Sequence, residues 1–187
     1  MIQWRDTPQH YGAVSRALHW VVAGLIVWQF LGMGLRLTLG RTPLVSFFVG
    51  GHATVGFTLA LLIALRGIWA LLNLRSRPPH GAHMLGLAAR LGHIALYGLM
   101  ILIPSLALLR AWGHQRAFAP YGIEIFPARE VPVNWAVQAG NLLHGELAWV
   151  LCGLVVGHVA MVALHSWLWR DGTLSRMAGP RETGRKG

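Results

Sequence analysis

A chain of 187 residues in which 55% are hydrophobic and only 12% charged, with a mean hydropathy of +0.50, lies outside the composition of water-soluble globular domains. It reads as a membrane protein with too little chain left over for a separate soluble domain. The formal charge of +10 marks a membrane surface before it marks a nucleic-acid site, because no basic and aromatic platform stands apart from the apolar runs.

Four apolar runs are long enough to cross a hydrocarbon core, which takes about 20 residues of helix: 17–35, 47–72, 91–109 and 147–168. The first is too long for a signal-peptide core, follows Asp6 as well as Arg5 and Arg16, and has no small-residue cleavage site, so it is expected to be retained. All four should be helices, since in lipid only a helix or a closed barrel satisfies every backbone group. The expected fold is all-α, one membrane domain over residues 1–187 built as an up-down-up-down four-helix bundle. Gly24, Gly56 and Gly98 are tolerated inside the spans as small residues that let helices or a flat ligand approach. Pro104 should kink the third helix. Trp20, Trp167 and Trp169 fall near inner ends, where interfacial aromatic rings are favoured. The connection 110–141, with Pro120, Pro127, Pro132 and the pair Tyr121-Gly122, reads as an outer cap. Asn134 is a candidate cap for a helix starting outside the bilayer, and residues 170–187 form an inner tail.

Basic residues set the orientation. Arg5, Arg16, Arg75, Arg77, Arg90, Arg170, Arg176, Arg181, Arg185 and Lys186 lie on one side, against Arg36, Arg41, Arg110, Arg116 and Arg129 on the other. The positive-inside rule then places both termini in the cytoplasm. The single Cys152 excludes an internal disulfide and any CxxCH attachment of a haem.

Histidine carries the chemistry. His19, His52, His93, His144, His158 and His165 lie within or at the edge of the apolar runs, where an ionisable side chain is costly and usually binds or moves something. His144 and His158 are fourteen residues apart, so they share a helix face about 21 Å apart along its axis. His19 enters from the inner side and His52 from the outer side. This pairs His52 with His144 at an outer level and His19 with an inner partner, for which His158 is the natural choice and His165 stays open on spacing alone. Two neutral imidazoles on opposite faces of a macrocycle hold a b-type haem without a covalent link. Zinc is disfavoured, because it wants three or four ligands around one point and these are spread in depth. His10, His80, His83 and His114 lie in polar segments and read as surface residues. Arg66 interrupts the second span fourteen residues after His52, at the inner histidine level; a guanidinium there pairs with a haem propionate or snorkels to the headgroups, and the propionate is favoured.

These pieces resemble the prokaryotic cytochrome b561 family of small four-helix, di-haem, quinone-linked membrane cytochromes. The resemblance rests on DTPQHYGAVSRALHW at the N-terminus, GHATVG in the second span, LAARLGHIALYGLM at the third, and HGELAWVLCGLVVGHVAMVALHSWLWRDGTLSRM at the fourth. It implies an inner-membrane protein with two haem b groups, the inner on His19 and His158 and the outer on His52 and His144. It also implies a quinone near the inner haem, with His165 matching the residue that contacts its carbonyl and His93 a second candidate there. The expected function is electron transfer between a periplasmic donor and the membrane quinone pool, of oxidoreductase type. Superoxide is a candidate donor, since the outer arginines would concentrate an anion, although Glu124, Glu130 and Glu146 oppose them. The alternatives are a haem-bearing anchor subunit of a dehydrogenase or hydrogenase complex, whose cytochromes share the architecture, and a transporter. The transporter reading lacks paired intramembrane carboxylates and broken helices.

Overall fold

The computed structural model describes residues 3–78 and 84–179; His80, His83 and the basic residues of the tail beyond 179 lie outside them. Four long helices make the bundle: α1 Ala13–Leu39, α2 Pro43–Leu72, α3 Met84–Gly113 and α4 Asn134–Leu164. Each is long and apolar enough to cross a membrane. A π-helical turn, His165–Trp169, continues α4, and a short α5, Thr173–Ala178, follows.

Helix ends are set by local chemistry. Gly40, at φ 66°, closes α1 with its N–H on the Arg36 carbonyl, a left-handed conformation that costs glycine little. Two residues later the Thr42 side chain accepts from the Val45 N–H, and Pro43 opens α2, the combination that starts helices well. The helices outrun the apolar stretches, so the outer connection spans 114–133 instead of 110–141. Asn134 is the first residue of α4 and not its cap, which is Val133 with no side-chain cap bond. The Val133 N–H instead bonds the Gly113 carbonyl at 2.9 Å, pinning the ends of the connection together. Within the loop Phe118 and Phe126 bridge antiparallel strands of chain. The loop lies on α2 through Phe118 against Phe57 and through Tyr121, whose hydroxyl is 2.6 Å from that of Thr58.

Of the glycines the sequence singled out only Gly56 makes a close approach, and the other tight contacts fall elsewhere. A Cβ on Gly32 would meet Phe48, one on Gly51 would meet Trp28, and one on Gly140 would meet Arg110 and the Leu106 carbonyl. Of the three expected positions, Gly56 faces Gln29 while Gly24 and Gly98 have no protein atom in reach. The four helices share one buried layer, Val22, Ile26, Ile63, Met100, Ile103 and Leu151. Leu151 is seven residues from His144 and seven from His158, so the α4 member of this layer sits midway between the two histidine levels.

At the inner end three segments are strapped together. The fully buried Asp6 side chain accepts from the Gly12 N–H at 2.9 Å and pairs with Arg77 Nε at 3.1 Å. The Tyr11 N–H reaches the Arg176 carbonyl, and the Trp20 indole reaches that of Met177. Both described ends of the chain therefore lie on one side of the bundle.

Candidate functional site

At the outer level α2 and α4 bring His52 and His144 face to edge, with ring centroids 6.1 Å apart and planes at 80°. His144 Nδ1 lies 3.1 Å from the Ile103 carbonyl, that of the Ile103–Pro104 amide. A carbonyl only accepts, so Nδ1 carries the proton and Nε2 is left for a metal. Gln29 of α1 donates to the His52 carbonyl at 3.1 Å, while its own buried Oε1 has no partner. A cavity of about 300 Å³ opens beyond this level, lined by Arg36, Arg41, Val45, Ser46 and Val49.

At the inner level the ring brought against His158 is His93 of α3, at 5.5 Å and 74°. His93 Nδ1 is 2.7 Å from the Ala89 carbonyl one turn back. His19 makes no such ring contact with His158, but lies in the same electrostatic neighbourhood as His93, His158 and Arg66, and its buried Nδ1 has no hydrogen-bond partner. Arg66 turns its guanidinium onto the Tyr97 ring, 5.3 Å from the centroid. Tyr11, with Arg77 stacked on it at 5.8 Å, adds a phenol to the same corner. Burial pushes the Tyr11 hydroxyl above its ordinary value, the neighbouring arginines opposing it in part.

Below this level His165 opens the π-helical turn. Its Nδ1 is 2.5 Å from Asp171 Oδ2, and the Trp169 ring stands edge-on at 4.5 Å. Asp171 is reached because Arg170 (φ 50°) and Gly172 (φ 76°) turn the chain back in left-handed conformations. Desolvation is the largest single influence and opposes ionisation, but the hydrogen bonds from Thr173 and His165 together outweigh it and hold the Asp171 carboxyl down to about 2. Beside the turn a cavity of about 490 Å³ is lined by Ser166, Arg170, Gly172, Leu174 and Ser175 among others. Asp171, Tyr97, Tyr11 and the Ile103 carbonyl were not singled out from the sequence. Of these only Asp171 carried a local signal, the Asp-Gly pair that marks a turn.

The family model described as prokaryotic cytochrome b561 matches residues 10–180. The chain belongs to that family. Cytochrome b561 homolog 2 of Escherichia coli (strain K12) is 29% identical over 186 residues, which cover 95% of this chain and 96% of the relative. This cytochrome is therefore a multi-pass bacterial membrane protein that binds haem b and transfers electrons.

The donor set suits that group. His52 and His144, with ring centroids 6.1 Å apart, are two imidazoles from different helices that could together hold a haem iron. Among the described residues no three His, Cys, Asp or Glu side chains converge as a compact metal site would need. The orphaned His19 Nδ1 and Gln29 Oε1 are buried polar atoms of the sort that elsewhere have partners.

Proposed function

We propose that this cytochrome holds two haems in series and carries electrons between a donor at its outer face and a quinone at its inner end. The observation that carries the reading is the pair of histidine levels on α4 with buried apolar side chains between them. His52 and His144 hold the outer group. His19 and His158 hold the inner one, with His93 beside them and Arg66 offering its guanidinium to a propionate. The haem groups supply reversible one-electron exchange, tuned by their axial ligands and burial.

The chain's own residues select what enters. Arg36 and Arg41, around the outer cavity and in no ion pair with a carboxylate among the described residues, raise the local concentration of an anionic donor, and superoxide fits that charge. At the inner end His165 faces the quinone carbonyl. The neighbouring cavity is within the size range that binds small ring systems. The balance is two superoxide anions, one quinone and two protons giving two dioxygen molecules and one quinol.

The test is stopped-flow reduction of the haems in the purified cytochrome by superoxide, with and without a quinone. Fast reduction followed by quinone-dependent reoxidation supports the reading. Absence of haem reduction by superoxide removes that donor, and absence of reoxidation by quinone removes the acceptor. Activity of the chain purified alone also distinguishes it from an anchor subunit that needs partners.

A further inference from the structure

His165 has two ring nitrogens, and the structure commits one of them. Its Nδ1 is held by Asp171 Oδ2 at 2.5 Å, while the other oxygen, Oδ1, takes the Thr173 N–H at 3.0 Å. The Asp171 N–H returns to the His165 carbonyl at 3.3 Å, and the edge-on Trp169 ring limits rotation of the imidazole. The ring is thus clamped from two sides by residues of one tight loop. A π-helical turn and a non-glycine residue at positive φ, Arg170, build that loop, and features of this kind gather where a side chain must be aimed.

We infer that Asp171 is a positioning residue for quinone chemistry: it fixes His165 as the tautomer with hydrogen on Nδ1, so that Nε2 alone exchanges the proton with the quinone or quinol oxygen. The inference rests on the quinone reading above. In the neutral ring the Nε2 lone pair accepts the hydroxyl proton of a quinol as its electrons leave singly for the haem. In the protonated ring the Nε2–H gives that proton to a quinone oxygen as it is reduced. The second proton of the couple exchanges with water on the inner side. Asp171 keeps the Nδ1 proton throughout, as a carboxylate orients a catalytic imidazole without itself taking the proton. Its carboxyl, held near 2, stays ionised across the physiological range.

The arrangement makes Asp171→Asn informative. The Thr173 N–H requires an acceptor, so the amide oxygen stays on it and the NH₂ turns toward His165. An NH₂ donates, so the ring must present a lone pair at Nδ1 and carry its proton on Nε2. Nε2 then cannot accept from a quinol.

The experiment uses the full-length, haem-loaded cytochrome in detergent and a short-chain benzoquinol as reductant, followed by haem absorption. Asp171→Asn is expected to lower kcat for quinol-dependent haem reduction by about 10- to 100-fold, the usual effect of losing such a partner, with little change in KM. Haem content and the dithionite-reduced spectrum stay those of the parent. Asp171→Glu, which keeps the carboxylate, should recover part of the rate. An Asn variant with parental kcat overturns the inference, as does one whose rate falls only in proportion to lost haem, because either makes Asp171 a folding residue. If the parent itself shows no quinol-dependent reduction, the quinone reading fails instead.

Discussion

Replacing His144 by Ala tests the two-level arrangement most directly. The structural cost is small. The substitution removes the bond from Nδ1 to the Ile103 carbonyl, worth about 1 kcal/mol, and leaves space beside His52. Leu151 lies seven residues further along α4, about 10 Å away, so although the Ile103 carbonyl loses its partner, the inner histidines beyond Leu151 are undisturbed. The consequence for the cofactor is large, since His52 then faces no second imidazole. If the parent holds two haems as proposed, haem per chain should fall to one, and a redox titration of the α-band should lose one wave while the other keeps its midpoint. Pyridine haemochrome quantified against protein supplies the count. Two haems per chain in the variant would refute the pairing of His52 with His144. Loss of both would refute the independence of the two levels.

Three other outcomes follow from the same geometry. The near-perpendicular rings of His52 and His144 predict a strongly anisotropic low-spin ferric signal for the outer haem in electron paramagnetic resonance, one that disappears in His52→Ala; a rhombic signal like that of parallel rings would contradict the structure. Asp6→Ala strips the partly buried Arg77 of its carboxylate and the Gly12 N–H of its acceptor, which should cost about 2–3 kcal/mol. An Asp6→Ala, Arg77→Ala cycle followed by thermal unfolding should show strong coupling, and additive effects would count against the strap. Because Tyr11 is protonated more tightly when folded than when unfolded, its contribution is complete below its ordinary value near 10 and declines as pH rises through and above it. Tyr11→Phe should therefore flatten the alkaline loss of stability, read by thermal melts from pH 8 to 12.

Much of the bundle was legible because lipid leaves the backbone so few choices: an apolar run of about 20 residues has to be a helix. The interval from His144 to His158 could also be read, since both lie on one helix and periodicity fixes their face. Residues that meet across the chain could not. Arg77 is 71 positions from Asp6 and Ile103 is 41 from His144, and no local pattern announces either contact. His93 was expected near an inner helix end as a second quinone candidate, and its approach to His158 depends on how α3 packs against α4. Helix ends were misjudged where polar residues continue a helix past the apolar run, as at Asn134. The clamp on His165 was hidden because it needs a π-helical turn and a left-handed arginine, which sequence periodicity does not encode.

The layer of Val22, Ile26, Ile63, Met100, Ile103 and Leu151 has an electrical consequence. Its six buried members carry no polar side chain, so on the two-haem proposal an electron passing between the levels would cross them without a compensating charge. The levels are about 21 Å apart in a hydrocarbon core of about 30 Å, so the step spans roughly two-thirds of the membrane field. A unit charge is worth about 2.3 kcal/mol per 100 mV across the whole core, hence ~1.6 kcal/mol for this step. With two haems held as proposed, each 100 mV of membrane potential would shift the electron's distribution between them roughly 15-fold, and the cytochrome would respond to voltage as well as to its redox partners.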